Sequence, residues 1–108
     1  MIVLNNPETK VPIAIMDGTL ISTIRTGAVT GVCAKYMAPP RSKTVGLFGA
    51  GSQCKTQLMA LKASLPQLEK AYVYDLSRER TEKFAAEMSQ KLNMDVQAAS
   101  DRLATIES

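Results

Sequence analysis

The chain of 108 residues contains no histidine and only two cysteines, Cys33 and Cys54. A zinc site needs more ligands than these two thiols supply, and a disulfide scaffold needs more pairs. The sequence therefore predicts reduced thiols, which are usual in a cytosolic protein, and no metal site.

The sequence also lacks a long hydrophobic run and a block of charges of one sign. Arg25 is the only charge between residues 18 and 34, but this stretch contains several threonines and glycines and is too short to span a bilayer. The first ten residues, MIVLNNPETK, do not have the basic and apolar regions of a signal peptide. The net charge of +3 comes from interspersed residues, with no aromatics along a basic stripe, which disfavours nucleic-acid binding. We expect a cytoplasmic protein that binds neither a membrane nor nucleic acid.

The first part of the chain is predicted to form a β-hairpin. Residues 2–4 and 11–16 are short apolar runs rich in β-branched side chains, and the turn sequence Asn5-Asn6-Pro7 lies between them.

A long helix is expected to follow the hairpin, from about residue 20 to residue 37, with Thr19 or Ser22 near its N-cap. Apolar residues lie nearly all round this helix, which predicts burial on more than one side. Gly27 and Gly31 are four residues apart, so they would let a neighbouring backbone approach closely. Two prolines end the helix, and residues 39–43 form a polar linker.

The remainder of the chain alternates strand and helix patterns, which predicts an α/β fold of the Rossmann type. Strand–helix–strand–helix–strand at these lengths implies a parallel sheet with right-handed crossovers. The expected strands are 44–48, 71–74 and 94–98, and the expected helices are 52–64, one that starts after a cap at Ser77, and 101–107 after a cap at Ser100.

The run TVGLFGAGSQ ends an apolar strand at two glycines that are separated by one residue. Without a Cβ, Gly49 permits a tight turn from strand into helix, and Gly51 lets a pyrophosphate approach the backbone. The free N–H groups near Ser52 and Gln53 would then face that anion, aided by the helix dipole. The dinucleotide-binding fingerprint continues with Gly or Ala where this chain has Cys54, which is still small enough for close packing of helix on strand.

Asp75 closes the next strand and could accept hydrogen bonds from the ribose of adenosine. The same carboxylate would repel a 2′-phosphate, so NAD is favoured over NADP, although Arg78 and Arg80 are close enough in sequence to soften that preference. A G-x-G pair alone is weak evidence. The alternative interpretation is a purely structural glycine turn with an aspartate that caps the next helix.

Arg25 and Thr26 form a second candidate site. A single cation in a long uncharged stretch is costly to bury unless an anion meets it. Arg25 could pair with Asp17 or extend into water. Alternatively, its guanidinium could bind a carboxylate ligand through two parallel hydrogen bonds.

The run MDGTLISTIRTGAVTGVCAKYMAP, followed by VGLFGAGSQ, closely resembles the ornithine cyclodeaminase/mu-crystallin family, and the similarity covers nearly the whole chain. Members depend on NAD(P) and include cyclodeaminases that turn ornithine into proline and ammonia, alanine dehydrogenases and ketimine reductases. The crystallin relatives chiefly hold a cofactor or a small hormone.

The resemblance implies a role for each candidate residue. It assigns binding of the substrate α-carboxylate to Arg25, and cofactor binding to Thr26, Gly49, Gly51, Ser52, Gln53, Asp75 and Ser77. NADP-using relatives tend to carry Asn-Arg-Thr where this chain has Asp75-Leu76-Ser77. Because Leu76 cannot hold a phosphate, this difference also favours NAD.

Family enzymes are much longer than this chain, and a complete dinucleotide fold needs two βαβαβ halves. We therefore expect a fragment, in which residues 1–38 come from the substrate and dimerisation domain, 39–43 are a linker, and 44–108 are the first half of the NAD-binding domain. The catalytic acid or base would lie outside this chain, so the fragment alone is expected to be inactive. The resemblance also suggests a homodimer.

For the intact parent, the resemblance implies hydride removal from the α-carbon of an amino acid onto NAD, which gives an imine. In a cyclodeaminase of the ornithine type, the side-chain amine then attacks the imine, ammonia leaves and the hydride returns. In an amino-acid dehydrogenase, water hydrolyses the imine instead, and ketimine reductases belong to the same family. A non-catalytic nucleotide-binding protein of the mu-crystallin kind is the remaining alternative.

Overall fold

The computed structural model describes residues 1–107, which form five strands and four helices. In chain order these are β1 (Ile2–Asn5), β2 (Pro12–Met16), α1 (Thr19–Met37), β3 (Thr44–Phe48), α2 (Ser52–Ser64), β4 (Lys70–Tyr74), α3 (Arg78–Leu92), β5 (Asp95–Ala98) and α4 (Arg102–Glu107). The predicted α/β class is confirmed, and each predicted strand and helix is present within about two residues of its expected bounds, as is usual for element ends.

Strands β1 and β2 form the predicted antiparallel hairpin, with Ile2 opposite Met16. The Asn6 side chain shapes the turn, because its Oδ1 accepts hydrogen bonds from the N–H groups of Glu8 and Thr9 at 2.8 and 3.0 Å. The hairpin leaves most of its apolar side chains exposed to solvent.

Helix α1 begins differently from the prediction. Its N-cap is Gly18 rather than Thr19 or Ser22, and the Asp17 carboxylate accepts a hydrogen bond from the N–H of Thr19 at 2.9 Å. The carboxylate before the helix thus accepts the hydrogen bond that was expected to go to a hydroxyl group.

The expectation that α1 is buried on more than one side is wrong for the described residues, in which Gly27 and Gly31 are its only buried positions. Both glycines face α2, where a Cβ on Gly27 would lie 2.6 Å from the carbonyl carbon of Thr56 and one on Gly31 would lie 2.8 Å from the oxygen of Ala60. We call this contact the glycine seam. It confirms that these two positions let another backbone approach closely.

The second sheet is parallel, with strand order β3-β4-β5. In its register, Leu47 lies opposite Val73, and Ala71 lies between Val45 and Val96. Strand alternation places these side chains on one face of the sheet. Helices α2 and α3 connect the strands and bury that face.

The core of the described residues lies between this sheet face and the two helices. Its fully buried large side chains are Leu58, Leu68, Val73, Phe84 and Met88. All five lie in the part of the chain that was expected to form the dinucleotide-binding half. Among residues 1–107, no helix combines the length and the apolar character needed to cross a bilayer.

Candidate functional site

The glycine bend between β3 and α2 lies at the carboxyl end of the parallel sheet. Gly49 has φ +102°, in the left-handed region that favours glycine, and its N–H donates to the carbonyl of Tyr74 at 2.7 Å. Among the described residues, no heavy atom outside the adjoining chain lies within 4 Å of where a Cβ on Gly49 would be. Near the corresponding point on Gly51 there is one such atom, Nη2 of Arg80, at 3.9 Å. The bend is therefore open to a ligand.

The N-terminus of helix α2 lies at this bend. Gly51 is its N-cap residue, no side chain caps the helix, and its first turn contains no acidic residue. The N–H groups of Ser52 and Gln53 have no acceptor within residues 1–107. Uncovered amides and the positive end of the helix dipole together attract an anion such as a phosphate.

Asp75 lies against the bend, as the dinucleotide interpretation requires. Its Oδ2 accepts a hydrogen bond from the N–H of Ala50 at 2.8 Å, and its Oδ1 accepts one from the N–H of Ser77 at 3.0 Å. The hydrogen bonds from Ser77 and Ala50, together with the charge of Arg80, hold the pKa of Asp75 below its usual value. The group is therefore a carboxylate at neutral pH.

These two hydrogen bonds also give Asp75 a structural role, because they join the glycine bend to the loop before α3. An ionised carboxylate has about four lone-pair sites, so two amides leave capacity for the hydroxyls of a ribose. The structural and the ligand-binding interpretations of Asp75 are thus compatible.

Two cavities flank Asp75 and share Tyr74 and Leu76 as lining residues. One, of about 410 Å³, extends over the glycine bend to Arg80. The other, of about 300 Å³, extends across the ends of β4 and β5 towards Ser100. Ligands of open parallel sheets bind in this position, beyond the carboxyl ends of the strands.

Cys54 occupies the third position of the fingerprint and is only 7% exposed. Burial, and to a lesser degree the charge of Asp75, raises the pKa of its thiol to about 11. The residue is therefore a neutral packing group at neutral pH, consistent with its expected contribution to close helix–strand packing.

Ser77 is the N-cap of α3, as predicted, and its Oγ accepts a hydrogen bond from the N–H of Arg80 at 3.4 Å. Its hydroxyl thus stabilises the helix start. The sequence interpretation missed Ala50, whose N–H reaches the carboxylate of Asp75. Its position between two glycines at the end of a strand was the available signal.

Arg25 and Thr26 lie on α1, apart from Asp75 in the chain but on the segment that packs against α2. The hydroxyl of Thr26 donates to the carbonyl of Ser22 at 2.7 Å, within its own helix. Thr56 of α2 donates to the carbonyl of Thr23 at 3.1 Å, which fixes this part of α1 beside α2. Arg25 is exposed, and none of the ion pairs among residues 1–107 includes it. The alternative pairing with Asp17 is not formed.

The whole chain, residues 1–108, matches the model of the Ornithine cyclodeaminase/mu-crystallin family. The chain belongs to this family. One curated member, the L-lysine cyclodeaminase of Streptomyces rapamycinicus, is 38% identical to it over 94 residues, which are 86% of this chain and 27% of that protein.

Two solved structures of family members show the same fold. The Delta(1)-pyrroline-2-carboxylate reductase of Thermococcus litoralis, in complex with NADH and L-proline, is 46% identical with a TM-score of 0.89, over 98% of this chain and 33% of that one. An archaeal alanine dehydrogenase dimer with bound NAD is 32% identical with a TM-score of 0.86, over 94% of this chain and 31% of that one. The chain thus spans about a third of the length of these relatives.

Proposed function

We propose that this chain forms the part of an NAD-dependent amino-acid enzyme that binds the adenosine diphosphate portion of the cofactor. The observation that carries the proposal is the open bend at Gly49 and Gly51, with the Asp75 carboxylate bonded to the N–H of Ala50 at 2.8 Å. Two family members of known structure hold NADH or NAD, which supports the same cofactor here.

In this proposal the diphosphate lies on the N–H groups of Ser52 and Gln53, over the space that Gly51 leaves free. Asp75 accepts the hydroxyls of the adenosine ribose and repels a 2′-phosphate, so NAD binds more tightly than NADP. Ser77 keeps α3 in place behind Asp75. When bound, the nicotinamide supplies hydride transfer to and from the substrate carbon.

On α1, we assign to Arg25 the binding of the substrate α-carboxylate, because its guanidinium is exposed and outside every ion pair of the described residues. A planar guanidinium matches a carboxylate through two hydrogen bonds. Thr26 is assigned to the cofactor phosphates. Its hydroxyl donates to the carbonyl of Ser22 within α1, so it would have to rotate to donate to a phosphate oxygen instead.

The relatives support two reactions for the intact parent about equally. One is cyclodeamination of ornithine, for which an ornithine cyclodeaminase and the lysine cyclodeaminase are the relatives. The other is amino-acid dehydrogenation or the reverse imine reduction, for which the alanine dehydrogenase and the reductase are the relatives. The expected homodimer is supported by the dimeric alanine dehydrogenase.

Cofactor binding can be tested with Gly51→Val. Gly51 has φ −93° and ψ −179°, an extended conformation that any residue adopts, so this change fills the phosphate space without straining the backbone. We expect NAD binding in an NMR titration to be lost while the circular dichroism spectrum is unchanged. Ala63→Val on the exposed face of α2 is the matched control and should bind NAD like the original chain. Equal NAD binding by both variants would contradict the proposal.

The reaction can be tested on the intact parent by following nicotinamide absorbance with ornithine and with alanine. Net NADH formation identifies a dehydrogenase, and proline without net NADH identifies a cyclodeaminase. Binding of NAD without turnover of any amino acid would instead favour a non-catalytic, crystallin-like protein.

A further inference from the structure

Arg80 reaches the glycine bend from the first turn of α3. Its Nη2 atom lies 3.9 Å from the point that a Cβ on Gly51 would occupy. Arg80 also lines the cavity of about 410 Å³ over the bend, together with Gly49 and Asp75. No residue of α2 supplies a cation as near to this point within the described part of the chain.

The guanidinium of Arg80 is available for a ligand. In residues 1–107, no hydrogen bond or ion pair involves its side chain, which is exposed. By contrast, Nε of Arg78, in the same helical turn, forms an ion pair with Oε1 of Glu82 at 2.9 Å. Asp75 is near enough for the charge of Arg80 to lower its pKa, but both carboxylate oxygens already accept backbone N–H groups.

The position of the guanidinium decides which part of a dinucleotide it can meet. The second glycine of a dinucleotide turn is bare because the pyrophosphate lies against it. An atom beside the missing Cβ of Gly51 is therefore beside that pyrophosphate. An arginine suits this place because its planar fork of donors matches two phosphate oxygens at once.

We propose that Arg80 is a phosphate-binding residue, whose guanidinium contacts the diphosphate of the dinucleotide that lies over Gly51. The inference rests on the proposed function and adds a cation to a site that otherwise consists of backbone amides and one carboxylate. Arg80 also offsets the negative potential of Asp75, which would otherwise repel the diphosphate. The competing source of a phosphoryl group is the 2′-phosphate of NADP, beside Asp75.

The test compares Arg80→Gln with Lys83→Gln, which removes the same charge from an exposed position one turn further along α3. Binding of NAD, NADP and adenosine is measured for each variant by NMR titration. We expect Arg80→Gln to weaken NAD and NADP by the same factor, about ten-fold or more, and to leave adenosine unchanged, because a hydrogen bond to a charged group is lost only where phosphate is present. Lys83→Gln should bind all three like the original chain.

Arg80→Lys keeps the positive charge but loses the planar, two-pronged arrangement of donors. We therefore expect its affinity for NAD to lie between those of the original chain and the glutamine variant. If Arg80→Gln binds NAD as tightly as Lys83→Gln does, the proposal is wrong. If only NADP binding falls, Arg80 meets the 2′-phosphate and the diphosphate contact is overturned. If the original chain binds neither NAD nor NADP, the proposed function itself fails, which is a different outcome from either of these.

Discussion

The two parts of this chain both carry many large apolar residues, but only one of them buries these residues. In residues 44–107 one face of the sheet is covered by two helices, and side chains such as Leu58 and Val73 are completely buried. In residues 1–38 most large apolar side chains of the hairpin and of α1 stay exposed, for example Ile24 at 51%. The difference shows that apolar content does not make a core unless a second layer covers it.

The glycine seam explains how α1 can lie so close to α2 and still leave its side chains in solvent. Glycines bring backbone against backbone, so the contact is made by main chain and small side chains, with Ala34 also packing against the core. The large side chains of α1 point away from it and remain open to further packing.

The largest expected effect tests whether burial really differs between the two parts. Leu58→Ala on α2 should lower the free energy of unfolding by about 2–5 kcal/mol, because a fully buried side chain is replaced by a cavity. Ile24→Ala on α1, a similar truncation at an exposed helical position, should change it by about 0.5 kcal/mol or less. Urea unfolding measures both. Similar losses for the two variants would mean that α1 has a core of its own.

A somewhat smaller effect is expected at the glycine seam. Gly27→Ala would place its Cβ 2.6 Å from the backbone of Thr56, so the two helices must separate, at a cost of about 1–3 kcal/mol. Ala28→Ser adds one atom at the exposed neighbouring position and should change stability by about 0.5 kcal/mol or less. If Gly27→Ala instead stabilised the protein, as alanine does in a free helix, the close approach of the helices would be disproved.

The next prediction concerns the pH dependence of folding stability that comes from Asp75, in residues 44–107. Because the folded-state pKa of Asp75 is below its usual 3.8, the carboxylate stabilises the fold above that value. This contribution is lost as the pH falls through the lowered pKa. Asp75→Asn should therefore be less stable than the original chain at neutral pH, and the two should converge in acid. Parallel stability curves over the whole pH range would show that the hydrogen bonds from Ala50 and Ser77 do not depend on charge.

The prediction with the smallest expected effect concerns the chemical reactivity of the two thiols and involves no change in stability. Cys33 on α1 is exposed, whereas Cys54 on α2 is buried and has a pKa of about 11. At mildly alkaline pH, iodoacetamide should therefore modify Cys33 in the native protein and leave Cys54 intact. Mass spectrometry of tryptic peptides measures this, and both should react in denaturant. Equal native reactivity would mean that the core opens as readily as the surface of α1.

The sequence was most informative where turn residues separate short elements. The strand Thr44–Phe48 and the helix Ser52–Ser64 have the predicted bounds, because the glycine pair marks the change from strand to helix and Pro66 follows the helix end. The same glycine pair and Asp75 predicted the candidate site, because their spacing follows directly from a strand, a crossover helix and the next strand.

The structural features that sequence patterns did not predict depend on contacts between distant segments. Periodicity shows that α1 is apolar, but not whether anything covers it. Nothing in the sequence of the predicted strand indicated that another segment contacts Gly46. In the structure, a Cβ on Gly46 would lie 2.5 Å from the carbonyl oxygen of Thr105 in α4. The proximity of Arg80 to Gly51 likewise depends on how α3 returns beside the bend.

The double hydrogen bonding of Asp75 has a consequence for cofactor engineering. In the proposed site, the carboxylate of Asp75 opposes the extra phosphate of NADP, so a change of preference towards NADP requires its removal. Here the same carboxylate links two loops by accepting hydrogen bonds from the N–H groups of Ala50 and Ser77, so a small neutral replacement such as alanine would loosen the glycine bend. An asparagine side chain can still accept one of the two backbone N–H groups through its oxygen, which makes it the better starting point for redesign. In the proposed site, selectivity and the shape of the glycine bend therefore depend on the same residue.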